Sequence, residues 1–249
     1  MWPGVEHLVV EYDANNCLAA IQAMILAALL EANFRRYPRL AISGFAYTLS
    51  FFFPSIFYWF FSELRECADI FYTAPQYDTS LFLGITANIS AIVLFTVKVE
   101  TTFYEKYSTF ISALHKGSLS LINKEQASMS RVLWYQLISV YYIQGGITII
   151  AVCISKAVSI PMTPVLTLGV YTIYSMYLSI ILLYYFTDYI AANISTLVCL
   201  GVVVLCSYIA CKINAAFELP LLLGGLFGWA TAILFLKRRM KNLTEFLLC

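Results

Sequence analysis

The sequence predicts an all-α, polytopic transmembrane helical bundle, with six full spans and one short or partial N-terminal span. Three observations carry this. Apolar residues make up 61% of the 249-residue chain and charged residues only 12%, with mean hydropathy +0.80. A soluble domain is about 45–50% apolar and about 25% charged. Second, the apolar residues gather into runs of about 20, the length a helix needs to cross about 30 Å of hydrocarbon. Third, those runs are continuous and do not alternate, which favours spanning helices over a barrel. Disorder is excluded by the apolar content. A net charge of +1 gives no bulk electrostatic pull toward a nucleic-acid partner.

The elements follow in chain order. Residues 1–16 form a polar N-terminal stub with Glu6, Glu11 and Asp13 but no Lys or Arg, so the positive region of a signal peptide is missing. Residues 17–249 form the transmembrane domain. Cys17–Leu30 is apolar but short; it reads as a complete short helix, an interfacial one or the tail of a longer span. The full spans are placed at Leu40–Phe61, Ser80–Val97, Val132–Ile154, Val165–Phe186, Ile190–Cys211 and Leu219–Leu236. Cys153, Cys199, Cys206 and Cys211 fall in or near apolar runs and read as small packing residues.

Lys and Arg set the orientation. With the segment before Leu40 in the cytoplasm, the spans alternate so that 12 of the 15 Lys and Arg lie on the cytoplasmic side. Arg65, Lys156 and Lys212 fall on the other side. The C-terminus is then cytoplasmic. The longest polar stretch, 98–131, is a cytoplasmic amphipathic segment. Phe103, Tyr107, Phe110, Ile111 and Leu114 recur at helical spacing, Gly117 breaks the pattern, and Ser118 or Ser120 is placed to cap a second helix. An interfacial helix and a docking arm for a cytoplasmic partner both fit it.

Polar residues inside the spans form two helical stripes. Thr167, Tyr171, Ser175 and Ser179 are one, with Tyr174 beside it. Ser43, Tyr47 and Ser50 are the other, continued by Pro54, which is expected to kink its helix. Such stripes serve either interhelical hydrogen bonding or the wall of a path for a hydroxyl-rich substrate. Tyr47, Tyr171 and Ser175 are the candidates for the path. Gly224 and Gly228 form a GxxxG pair suited to close helix packing. Enzyme motifs are not found. His7 and His115 stand outside any HExxH, and no GxSxG, P-loop or DxD occurs. No cofactor and no metal site is expected. Asn88, Asn193 and Asn242 begin N-x-S/T triplets, but within spans or on the cytoplasmic side, so glycosylation is not implied.

One stretch says more. Ala74-Pro75-Gln76-Tyr77-Asp78, a span, and then Glu100-Thr101-Thr102-Phe103-Tyr104-Glu105-Lys106-Tyr107 resemble the PelG-type exopolysaccharide transporter family. That family looks like part of the multidrug/oligosaccharidyl-lipid/polysaccharide flippase superfamily. Arg35-Arg36-Tyr37-Pro38 with Gly44, Tyr47 and Tyr58-Trp59-Phe60, and later Tyr185-Phe186-Thr187-Asp188, also look like family patterns. The resemblance covers roughly residues 20–249 and corresponds to the C-terminal half of a family member. It implies one six-helix lobe of a twelve-helix flippase, whose N-terminal lobe is the missing partner. The implied function is export of exopolysaccharide, with biofilm as its context, across the bacterial inner membrane, by alternating access or through a conduit coupled to a synthase complex. Polysaccharide is then the substrate, membrane lipid the surroundings, and other synthase subunits, including a cytoplasmic glycosyltransferase, the partners. Glu100, Tyr104 and Glu105 at the cytoplasmic entrance, and Asp188, are the transport-path or gating candidates. The alternative is a non-transporting scaffold or truncated remnant in the same export machinery. The pattern departs at two places. Pro54-Ser55 stands where the family tends to carry a charged pair, and Tyr189-Ile190 where an Arg commonly follows the Asp.

Overall fold

The computed structural model describes residues 37–68, 71–116, 118–157 and 163–241. The stub at 1–16 and Cys17–Leu30 lie outside the described residues. Backbone packing divides the chain at Ile42/Ser43. In the first unit, the N–H groups of Leu40 and Ala41 donate to Tyr37 C=O at 3.1 Å, opening the first helix. The second unit holds the rest of the described residues, from Ser43 onward.

Eight helices and a small hairpin make up the described residues. Helix α1 is Pro38–Phe61. Strands β1, Glu66–Ala68, and β2, Phe71–Thr73, pair antiparallel with Glu66 opposite Thr73. Next come α2, Pro75–Asn88; α3, Ser90–Phe95; a π-helical turn, Thr96–Glu100; and α4, Thr101–Lys116. Then follow α5, Leu119–Ala157; α6, Pro164–Tyr185; α7, Tyr189–Ile213; and α8, Leu219–Lys241. Among the described residues six helices are long and apolar enough to cross a membrane, with Pro75–Leu114 counted as one continuous rod.

The boundaries move from the sequence reading in one instructive place. The second span does not stop at Val97. It runs through the π turn into the amphipathic stretch, and the third span begins back at Leu119. A helix satisfies its own backbone, so leaving the apolar region is no reason to end it. At 1.5 Å per residue, α5 is about 58 Å long, nearly twice the hydrocarbon thickness. The apolar face of α4 is covered by protein: Phe103 and Phe110 are buried, and Tyr107, Ile111 and Leu114 pack around them. Ile122 N–H donates to Ser118 C=O at the start of α5.

Helix α6 is the centre of the bundle. Its apolar window is 72% buried inside the protein, against 22–39% for the other spans. Glycines seam it to α7 and α8. A Cβ on Gly169 would lie 2.9 Å from Leu222 N. One on Gly224 would strike the Val203 side chain and lie 3.1 Å from Cys199 C=O. One on Gly228 would strike Met176 Sδ and lie 2.7 Å from Cys199 Cβ. Gly225 sits against Thr172 in the same way.

Helix α1 is held differently. It makes no comparably close backbone approach to another helix; its contacts are side chains. Tyr47 stacks on Tyr177 at 4.9 Å, Phe51 meets Tyr174 edge-on at 6.1 Å, and Ser43 Oγ shares a 2.5 Å hydrogen bond with Tyr184 OH. Pro54 lies buried within α1, which continues on both sides of it. Its ring removes one backbone donor from the helix.

Between α2–α3 and α5 lies a buried polar knot. Ser90 Oγ donates to Gln144 Oε1 at 2.8 Å, and Thr148 Oγ1 to Asn88 Oδ1 at 2.8 Å. Gln144 Nε2 donates to Asn88 Oδ1 and to Ala87 C=O, both at 3.2 Å. Asn88 Nδ2 returns to Gly84 C=O at 2.9 Å. Every polar atom there is partnered, as an apolar interior demands.

Candidate functional site

The six spans alternate in direction, so the bundle has two ends and a middle, and the residues singled out from the sequence distribute among them. At one end, Phe186 packs edge-on against Phe103 at 5.8 Å and Tyr107 at 6.5 Å. Asp188 Oδ1 accepts the N–H of Ala191 at 3.2 Å and caps α7. The Nε of Arg239 lies 3.8 Å from Asp188 Oδ2, and its Nη2 donates to Phe186 C=O at 3.3 Å. Gln126 Nε2 donates to Met240 C=O at 2.9 Å. Asp188 is therefore a cap and an ion-pair partner joining α7 to α8. Tyr104 and Glu105 stand exposed on α4 near this end. Glu100 closes the π turn, and nearby Lys98 Nζ donates to Ser139 Oγ at 3.2 Å.

In the middle, the two stripes behave differently. Thr167, Ser175 and Ser179 are buried toward the neighbouring helices. Tyr141 OH of α5 shares a 2.8 Å bond with Ser179 Oγ and donates to Ser175 C=O at 3.3 Å. Tyr171 OH donates back to Tyr141 C=O at 3.0 Å. This stripe is occupied by the α5–α6 contact. In the α1 stripe Ser43, Ser50 and Pro54 are buried, and Tyr47 is the residue that lines a recess. Tyr47, Thr48, Phe51 and Phe52 of α1, Ile85 of α2 and Tyr174 of α6 line a recess of about 160 Å³. Its walls are ring faces, with the Thr48 hydroxyl and two tyrosines supplying polarity.

The other end carries the larger cavity, about 330 Å³, set among the starts of α2, α6 and α8. Its wall includes Gln76, Tyr77, Ser80, Thr163, Phe217 and Glu218. Ser80 Oγ accepts Thr163 N–H at 2.7 Å and shares a 2.9 Å bond with Thr163 Oγ1. Beside the cavity, Tyr58 OH donates to Phe217 C=O at 3.0 Å and Trp59 Nε1 to Asp78 Oδ2 at 2.7 Å. Asn214 Nδ2 reaches Glu63 Oε2. Among the described residues no three His, Cys, Asp or Glu side chains come together as a metal site.

Sequence reading missed the polar knot, the ring face and this cavity. A signal for two of them is present. Gln144 and Thr148 sit four apart on one face of an apolar run, and Tyr174, Tyr177 and Tyr184 also share a face. The cavity has none, because its residues come from three separate helix starts.

Six described helices long and apolar enough to cross a membrane make this a multi-span membrane protein. The chain belongs to the PelG family: the family model described as "Putative exopolysaccharide Exporter (EPS-E)" matches residues 23–247. This ties the chain to exopolysaccharide export. No curated protein and no solved structure matches it.

Proposed function

We propose that the chain is one lobe of an exporter that moves exopolysaccharide across the bacterial inner membrane, with its C-terminus in the cytoplasm. The observation that carries the reading is the stacked Tyr47–Tyr177 pair beside the mid-bundle recess. A pyranose ring offers an apolar C–H face and a rim of hydroxyls. Ring faces with a few hydroxyls beside them suit both, and polar atoms in few, fixed positions give orientation without tight holding. Tyr47 is the path residue best supported. Tyr171 and Ser175 act in helix packing beside it. Glu100, Tyr104 and Glu105 stand at the entrance, at the end rich in Lys and Arg. The α4–α5 hairpin reaches past the membrane and serves as the docking surface for a cytoplasmic glycosyltransferase, and a second lobe completes the path.

The test is export itself. Tyr47→Ala with Tyr177→Ala should lower secreted polymer about tenfold at unchanged membrane abundance, while Tyr47→Phe, which keeps the ring, should secrete normally. Unchanged secretion from the double variant would overturn the path. A scaffold role has one observation in its favour, the closure of the Thr167–Ser179 stripe by Tyr141. It predicts that the double variant still secretes. It also predicts that charge reversal on the α4–α5 hairpin abolishes both co-purification of the partner subunits and secretion.

A further inference from the structure

We propose that the 330 Å³ cavity at the starts of α2, α6 and α8 is a subsite for one uncharged sugar unit, on the export path at the end opposite the Lys- and Arg-rich one. This rests on the exporter reading and deepens it. Four observations argue for it. The cavity has mixed walls: Leu64, Val165, Leu166 and Phe217 on the apolar side, with Gln76, Ser80, Thr163 and Glu218 on the polar side. That mixture matches a pyranose, with its apolar face and hydroxyl rim, and the volume holds one unit with room for its linkages.

Second, Tyr77 forms part of the wall, is 4% exposed, and its hydroxyl has no hydrogen-bond partner. A buried hydroxyl left unpaired costs stability, and phenylalanine would fill the same space without that cost. The residue lines the cavity while its hydroxyl is sealed behind the wall, so a ligand that shifts the wall meets an unspent donor and acceptor.

Third, the sign of the charge is set. Helix starts usually attract anions through free N–H groups. Here Pro75 and Pro164 stand at the first turns of α2 and α6 and Pro220 at the start of α8, each removing a donor. Glu218 adds a carboxylate to the wall. A phosphorylated sugar is disfavoured, whereas the hydroxyls of a neutral one donate to the Glu218 carboxylate. Fourth, Trp59 donates to Asp78, the residue after Tyr77 in the wall, which ties an indole to this end of the bundle as a probe.

The experiment uses the full chain in lipid nanodiscs with cellotriose, maltotriose and glucose 6-phosphate as probes. Saturation-transfer NMR follows binding, and Trp59 fluorescence, checked against Trp59→Phe, confirms it. Saturable binding of a neutral trisaccharide is expected, with glucose 6-phosphate at least tenfold weaker. Tyr77→Phe should weaken the trisaccharide about tenfold with an unchanged or raised Tm. Leu166→Trp, which fills the cavity, should abolish binding. No saturable binding of either trisaccharide, wild-type affinity in Tyr77→Phe, or equal binding of glucose 6-phosphate would each overturn the subsite. A Tyr77→Phe variant that loses binding and Tm together would make the tyrosine structural and overturn its role. The exporter reading fails separately: it falls if removing the chain leaves polymer secretion intact, and stands if secretion needs the chain while the cavity binds nothing.

Discussion

At the scale of single residues, the glycines divide into those whose missing side chain matters and those where it does not. Gly224 and Gly228 let α8 lie against Cys199 and Val203 of α7, while Gly201 has nothing within 4 Å of where a Cβ would stand. Gly224→Ala should therefore lower stability by about 1–3 kcal/mol, the usual penalty of overpacking a tight contact. Gly201→Ala should be neutral or stabilise by up to about 1 kcal/mol through helix propensity. Thermal unfolding of both variants in detergent checks this, and equal Tm values would remove the distinction. The GxxxG spacing makes the first two glycines readable from sequence, since residues four apart share a helix face. Gly169 and Gly225 do equivalent work with no spacing signal, because their partners sit on other helices. Asp188 illustrates the same limit. Its place ahead of a long apolar run suits a cap, but Arg239, its partner, lies 51 positions on and becomes visible only in the fold.

At the scale of elements, the polar knot joining α2–α3 to α5 is the most specific contact in the bundle. Gln144 bonds Ser90, Asn88 and the backbone at Ala87. Replacing it with Leu leaves Asn88 and Ser90 with fewer partners in an apolar setting. Each hydrogen bond between membrane helices is worth about 0.6 kcal/mol on average, so Gln144→Leu should cost about 1–2 kcal/mol. Asn88→Leu with Gln144→Leu should cost less than the sum of the single changes. A double-mutant cycle on detergent unfolding measures it, and strict additivity would argue that the two side chains do not couple. The spans themselves are legible in the sequence because each apolar run is long enough to cross a bilayer and is bounded by charge. Where the helices end is not legible. The same amphipathic pattern that marks α4 says nothing about whether it continues α3 or stands apart, and here it continues through a π turn. The β1–β2 hairpin is too short for an alternating pattern to register.

At the scale of the whole molecule, alternation of the six spans gathers most Lys and Arg at the end where Arg239 meets Asp188, and places Cys67 at the other. The proposed orientation puts the first end in the cytoplasm and Cys67, which is exposed, on the opposite side. A variant retaining Cys67 as its sole cysteine should react with a membrane-impermeant maleimide in intact spheroplasts. Reaction only after permeabilisation would reverse the orientation. The candidate site was half legible at this scale. Tyr47 announces itself by lying on a hydroxyl stripe, but the rings of α6 that complete its surroundings are spread through one of the most apolar spans, where tyrosines look like ordinary packing. The cavity near Tyr77 needs three helix starts brought together, which no local pattern encodes.

The two ways helices are joined here also foretell how the sequence can drift. Ring-to-ring contacts tolerate many offsets of similar energy, so positions 47, 51, 174 and 177 should accept exchange among Phe, Tyr and Trp across a saturation library. The glycine seam around α6 admits one residue type at each of its positions. Variation in this protein should thus be permissive along α1 and nearly silent along the inner edge of α8. The permissive side is the one that faces the proposed path, where a transporter changes the cargo it accepts.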